Sequence, residues 1–412
     1  MIDQTKYVVF MVALAGSPML VSAQEPQGDG MQWGPFRALP RIDLEYMHTD
    51  NLYNADTREK SSNIFVVNPG LRLDAGTATM RYVLDADIEA GEVSQDSDDD
   101  YVDLALTGQA VYQPNSRLKL DLFAGFKKDH DPRGTGRQDG GTSAAKEPDE
   151  YDQTDLGAEF IYGVADAKGQ IILNLDYMDK EYTNNRLRTV NAATSGTRLF
   201  DRDEFGQSAA FKWRVGPKTT VLFEARNRDF DYDFTLPGTA KLDSDEQHYF
   251  VGVEWQATYK TTGALRVGHM RKDFDSSVRN DESGGSWEAS ITWRPRSYSA
   301  VNVTTGRTYG ETNGTGDASL SDYFGVSWDH QWMERLSTSV SYDYSDTEYP
   351  GSQTATTRER EDDLDTFAFE ANYEARRWLT LGAGFEHIDN DSNNNGFDYD
   401  RNNVFVNARM QF

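Results

Sequence analysis

From about Ala38 onward, apolar and polar residues alternate one for one in segment after segment. Ile42, Leu44 and Tyr46 alternate with Asp43 and Glu45. Tyr82, Leu84, Ala86 and Ile88 alternate with Arg81, Asp85, Asp87 and Glu89. The same rhythm runs through 118–124, 171–177, 249–257, 287–293 and 367–373. A side-chain period of two belongs to a β-strand, and it gives each segment one apolar and one polar face. The chain ends in this pattern. Val404, Val406, Ala408, Met410 and Phe412 lie on one face, and Phe405, Asn407, Arg409 and Gln411 on the other. No residue follows Phe412 to cover an edge, so the last strand is expected to pair with the first and close the sheet.

The connections alternate as regularly as the strands. Short ones at 74–76, 113–116, 215–218, 294–297 and 374–377 carry several Pro and Gly turn formers. Long polar ones fall at 50–61, 92–100, 129–150, 183–201, 233–243, 275–285, 310–318, 347–362 and 389–398. Short turns on one side and long loops on the other are the layout of a transmembrane antiparallel β-barrel, with the long loops extracellular. Counting between connections predicts about 18 strands, with 16 as the fallback, and an even count puts both ends in the periplasm. Tyr112, Trp213, Trp255, Tyr259, Trp293, Trp332 and Trp378 cluster near strand ends and fit an interfacial aromatic girdle.

Composition changes this picture little. A mean hydropathy of −0.71 would ordinarily exclude a membrane protein. The 412 residues nevertheless include 21 Phe, 21 Tyr and 8 Trp, too aromatic for a disordered acidic chain of net charge −27. A barrel with a wet interior reconciles the two, since half of its strand positions face water. A secreted β-sandwich is the soluble alternative, but it has no reason to alternate short and long loops throughout. At the N-terminus, Lys6, the apolar run 7–16 and Val21-Ser22-Ala23 read as a signal peptide over residues 1–23. Residues 24–37 then form a periplasmic lead-in, and 38–412 the barrel. The expected location is the Gram-negative outer membrane. With no Cys there is neither a disulfide framework nor thiol chemistry.

The polar register is heavily charged, and charge in hydrocarbon is expensive, so this face lines water. Asp85, Asp87, Glu89, Asp121, Asp176, Arg226, Arg228, Glu254, Arg266, Glu288, Glu370 and Arg409 are the candidate lumen-lining residues, and Arg307 belongs with the inward bases. Many of these are expected to be cross-strand ion pairs that only brace the wall. Phe123, Phe250 and Phe405 share the inward register and are candidates for stacking on sugar rings, with packing against a loop as the alternative. Tyr232 and Phe234, near a rim, are similar. Catalysis finds no support. No GxSxG element occurs, and in the adjacent pair Asp329-His330 the two side chains should face opposite sides of a strand. No cofactor or metal is expected. The loop acids Asp389, Asp391, Asp398 and Asp400 fit no EF-hand pattern and suit cation bridging to lipopolysaccharide better than a specific calcium site.

Several stretches resemble the family called putative beta-barrel porin type two. They include 49–53 with Asn68-Pro69-Gly70-Leu71, then 242–246 leading into 251–255 and 271–275. Two further stretches are 287–299 and the run from Arg376-Arg377-Trp378-Leu379 to Asp398-Tyr399-Asp400-Arg401-Asn402. The resemblance covers about residues 38–412. It implies an outer-membrane passage for an exopolysaccharide or capsular polysaccharide, working with a periplasmic polysaccharide export protein. Membrane lipid, lipopolysaccharide and the polysaccharide chain are then the expected partners, with no nucleic acid. Two other readings stand beside it. One is a diffusion porin for small hydrophilic solutes, which a constriction loop at 129–150 or 183–201 would favour. The other is a non-transporting adhesin or structural barrel.

Overall fold

The computed structural model describes residues 28–140, 145–164, 166–186, 196–235, 240–352 and 358–412. The expected signal peptide lies outside them. The chain forms one closed antiparallel sheet. A short strand β1 (Met31–Trp33) precedes β2 (Phe36–Thr49), β3 (Ser62–Gly76), β4 (Met80–Val93), β5 (Tyr101–Asn115), β6 (Leu118–Asp131) and β7 (Asp149–Tyr162). Next come β8 (Gly169–Tyr182), β9 (Arg202–Gly216), β10 (Thr219–Tyr232), β11 (Ser244–Thr258), β12 (Thr261–Phe274) and β13 (Glu282–Arg296). The last are β14 (Ser299–Glu311), β15 (Ala318–Met333), β16 (Leu336–Tyr349), β17 (Arg360–Arg376), β18 (Leu379–Ser392) and β19 (Tyr399–Gln411).

Each strand from β2 to β19 pairs with its sequence neighbour, and β19 pairs back onto β2, giving a closed 18-strand barrel. The closing register runs from Asn403 opposite Thr49 to Gln411 opposite Arg41. Closure leaves no strand edge in the hydrocarbon, where unpaired backbone groups cost several kcal/mol each. Phe412 sits just past that seam. Its amide donates to the Pro40 carbonyl at 2.9 Å, and its ring stacks on Trp378 at 5.8 Å. β1 folds back as a hairpin on the start of β2, with Met31 opposite Ala38.

The nine long connections all fall where the alternation places them. We number them L1 (50–61), L2 (94–100), L3 (132–148), L4 (183–201), L5 (233–243), L6 (275–281), L7 (312–317), L8 (350–359) and L9 (393–398). Several strands run two or three residues further into the loops than the polarity pattern suggests, because the wall continues above the membrane into water. The seven aromatics expected in a girdle all gather at one end, beside the short periplasmic turns. At the opposite end the outward register turns acidic. There Tyr177 donates to Asp203, and Tyr342 and Tyr344 donate to Asp365 and Asp363.

Two hairpins leave the wall near the extracellular end. Pairing between β5 and β6 stops at Leu104 opposite Lys128, while β6 stays paired with β7 up to Asp131 opposite Asp149. Pairing between β13 and β14 stops at Glu288 opposite Gly306, while β14 stays paired with β15 up to Glu311 opposite Ala318. The two splays lie on roughly opposite sides of the barrel. Each frees a hairpin to tip over the lumen.

Candidate functional site: the lumen and its extracellular mouth

The structure places all twelve lumen candidates on the inward register and gives each a polar partner. Arg226 and Arg266 share two carboxylates. Arg226 donates to Glu288 at 2.6 Å and to Glu224 at 2.8 Å, and Arg266 approaches the same two at 2.8 and 3.5 Å. Arg228 bridges Glu204 at 3.0 Å and Asp176 at 2.6 Å. It reaches Asp176 by passing over Gly206, where a Cβ would lie 2.4 Å from the carboxylate. Arg409 bonds Glu370 at 2.6 Å, and Lys212 bonds Glu254 at 2.7 Å. Arg41 pairs with Asp85 and Asp87, and Lys119 with Asp121 at 3.2 Å. Glu89 accepts from Asn68 at 3.0 Å and from Tyr101 at 2.9 Å. The wall is thus a two-signed surface whose charges lie flat along it in pairs.

The three stacking candidates follow the same economy of space. Phe123, Phe250 and Phe405 each stand opposite a glycine on the next strand, respectively Gly157, Gly268 and Gly384. A Cβ on Gly384 would fall 2.3 Å from the Phe405 ring, and one on Gly268 would fall 2.9 Å from Phe250. An aromatic over a glycine buries its ring edge against bare backbone and projects little into the lumen. Phe250 is not free to stack on a sugar. It is only 3% exposed, with Arg226 over its ring at 4.9 Å and His248 against it at 5.6 Å. Phe123 and Phe405 are half-buried. The rim pair is covered too. Tyr232 is buried and donates to Glu311 at 2.5 Å, while Arg198 lies over Phe234 at 4.2 Å.

L3 lies across the mouth. At its root, Arg133 donates to Tyr53 of L1 at 2.6 Å and to Asp96 of L2 at 2.7 Å, and it also grips Asp99. Its guanidinium lies 4.5 Å from the Tyr53 ring centre. The Asp99 hydrogen bond holds Arg133 above the usual arginine range. Arg133 in turn holds the Asp96 carboxyl below the usual carboxylate range. Burial and Asp99 together push the Tyr53 hydroxyl up. Gly134 is required here, since it has φ +84° and a Cβ would fall 2.0 Å from the Tyr53 carbonyl oxygen.

Further along, L3 reaches β17. Asp139 accepts from Arg360 at 2.6 Å, a contact between residues 221 apart in sequence. Strands β18, β19, β2, β3, β4 and β5 lie between the two partners around the wall. Arg360 is 1% exposed and also grips Asp362. Its guanidinium is sandwiched 3.6 Å from the Phe397 ring centre and 4.7 Å from that of Tyr349. Burial pushes the Asp139 carboxyl up against the pull of Arg360. Gly140, at φ +81°, passes so close to Phe397 that a Cβ would meet the ring at 2.8 Å. Between these points Arg137 donates to the Gly196 carbonyl of L4 at 2.9 Å and covers Phe200 at 4.4 Å.

The opposite hairpin closes the other side. Glu311 crosses over β13 to Lys272, which is fully buried, and accepts from Tyr232 of β10. Gly314 of L7 faces Phe200 of L4, whose ring a Cβ at that position would meet at 3.6 Å. The two hairpins and L4 therefore narrow the extracellular mouth.

Two placements differ from expectation. Arg307 was expected inside, but it sits on the outward register with Phe324 and Trp328. There it grips Asp322 and lies 5.1 Å from the Trp287 ring centre. It stands above the end of the β13–β14 pairing, near the extracellular rim, where an outward charge still meets water and headgroups. His130 departs the other way. Alternation puts it outside with Val102, yet its ring turns to the inward Asp103 and packs on Tyr101 at 4.2 Å. The ladder to β5 has ended two residues earlier, so only the pairing with Glu150 of β7 holds the strand there and the ring is free to turn on the β5 side.

Comparison with known proteins agrees with this architecture. A family model described as putative beta-barrel porin 2 matches residues 25–412. No curated protein sequence matches at a significant level. Among solved structures, OccK2 (OpdF) of Pseudomonas aeruginosa in complex with glucuronate is similar over 91% of this chain and 98% of that one, at 11% identity and TM-score 0.50. OccK11 (OpdR) of the same organism is similar over 92% and 96%, at 15% identity and TM-score 0.49.

Proposed function

The chain belongs to the putative beta-barrel porin 2 family, and from that premise we propose that it is an outer-membrane channel for small hydrophilic solutes. Its expected route is export behind a signal peptide over residues 1–23 and insertion from the periplasm. The observation that carries the reading is L3, drawn across the mouth and tied to a buried arginine on β17. A loop so placed limits the size of what enters, and a wall carrying both signs offers many weak contacts rather than one tight site. OccK2 has been solved with glucuronate, which makes a uronic acid the first solute to try.

Passage of an exopolysaccharide is the second reading, and the family resemblance favours it. It requires L3 to swing aside and a periplasmic export protein to deliver the polymer. Lipopolysaccharide contact at the acidic outer band accompanies either reading.

The test is reconstitution of the folded chain in planar bilayers and liposomes. Conductance, with uptake of glucuronate and exclusion of long oligosaccharides, is the expected result. Free passage of long oligosaccharides, together with loss of secreted polysaccharide on gene deletion, would transfer the assignment to export. A barrel with no conductance at all defeats both and leaves an adhesin or scaffold.

A further inference from the structure

We propose that Asp103, Asp129 and His130 form a divalent transition-metal site on the inner wall, where β6 parts from β5. One ligand atom from each of the three lies within 4.8 Å of the other two, and all three residues are half-buried. The His130 Nδ1 stands 3.1 and 3.0 Å from the two oxygens of Asp103. Tetrahedral ligands at about 2.0–2.2 Å from one zinc sit roughly 3.4 Å apart, so an ion can replace the proton between the His130 ring and Asp103 with a shift of a few tenths of an ångström, and Asp129 closes in as the third ligand.

The surroundings are those of a held ligand set. Tyr101 packs on the imidazole and fixes its plane. Tyr151 donates to Asp129 at 2.9 Å and Lys127 does so at 3.1 Å, while the backbone amide of His130 takes the other oxygen at 2.8 Å. Such outer partners orient ligands, and they leave Asp129 its Oδ1, which accepts only the His130 amide, with a lone pair for an ion. One imidazole with two carboxylates suits zinc, nickel, cobalt or copper better than calcium or magnesium, which take oxygen alone. Lys127 already meets part of the Asp129 charge, so Asp103 and the His130 ring are the principal ligands and Asp129 the third.

The fold supplies a reason for the position. The β5–β6 ladder ends at Lys128, which leaves His130 room to turn inward onto Tyr101 and Asp103. An ion joining Asp103 of β5 to Asp129 and His130 of β6 would pin the base of the hairpin that carries L3. This inference does not depend on which solute passes.

The experiment uses the full chain, folded in detergent, with barrel formation checked by heat-modifiable gel migration. The protein is loaded with zinc, dialysed and assayed for metal, and cobalt is substituted to read the ligand field. We expect one zinc per chain, held at least about tenfold less tightly in His130→Ala and Asp103→Asn. The cobalt spectrum should shift in Asp129→Asn. The loop variant Asp389→Asn/Asp391→Asn should keep its zinc. Wild-type protein holding no more zinc than the doubly substituted His130→Ala/Asp103→Asn chain overturns the proposal. So does zinc that is lost with the loop acids instead.

Discussion

L3 is fastened at two places by the same device, an arginine between carboxylates and an aromatic ring, and the two fastenings differ in nearly everything else. At the root, Arg133 joins adjacent loops over a short distance, and Asp96 keeps a third of its side chain in water. At the far end, Arg360 joins opposite parts of the mouth and is buried almost completely. The Arg133–Asp96 pair, open to water on the Asp96 side, contributes about 0–1 kcal/mol, while the Arg133–Asp99 pair beside it is largely buried. A buried one contributes little as a pair but is severe to break, because it strands an uncompensated charge. Because it alone of the two spans the mouth, the far end decides whether the mouth is narrow, and the root decides where the loop begins.

Arg360→Ala should break the comparison most forcefully. Asp139 and Asp362 would then face each other without a cation, at a cost of about 3–5 kcal/mol. L3 should leave the mouth, and single-channel conductance should rise with the barrel still closed. Unchanged conductance would mean that L3 does not set the aperture. Gly140→Val acts on the same contact by shape. A branched side chain at φ +81° and against Phe397 costs about 1–3 kcal/mol, so the expected rise in conductance is smaller. A variant as open as Arg360→Ala would show that packing on Phe397, not charge, is the fastening.

Arg133→Ala ranks below both. Asp99 is nearly buried and would keep only its bond from Tyr53, a loss of about 1–3 kcal/mol. Hydrogen exchange in L2 should quicken while conductance stays close to wild type. A conductance rise matching that of Arg360→Ala would reverse the ranking of the two ends.

The strand rhythm and the loops were legible because a two-residue period and turn chemistry are local properties. Closure was legible in the alternation ending on Phe412. The inward register of Asp85, Arg226 or Glu370 followed from the same period. What could not be read was where a side chain turns from its register or a charge stays outside. His130 stands beyond the last residue paired with β5, and the end of a ladder leaves no local mark. Arg307 keeps the outward period of Val301 and Val303, and only its charge had suggested the inside. The narrowed mouth was hidden for another reason. Asp139 and Arg360 are ordinary loop-side charges until the barrel brings them together. The covering of Phe250 was hidden likewise, since Arg226 reaches it from β10.

Acidity offers the finest test, because the two ends should answer it with opposite sign. The Arg133 guanidinium and the Asp98 amide hold Asp96 below the ordinary carboxylate range, so the fastened root binds protons less readily than a free loop. Its contribution is complete above about pH 4 and is lost as the pH falls through the lowered value. Burial holds Asp139 above that range, so the fastened far end takes up a proton more readily than free L3. That contribution is complete below about pH 4 and is lost as the pH rises through the raised value. Because the chain has no Cys, single spin labels can report each end from Ser97→Cys in L2 and Asn395→Cys in L9. On acidification the label at 97 should loosen and the label at 395 should not, and Asp96→Asn should abolish the response at 97. If the label at 395 loosens first, the charge pair at Arg360 outweighs burial, and the two ends differ in reach but not in kind.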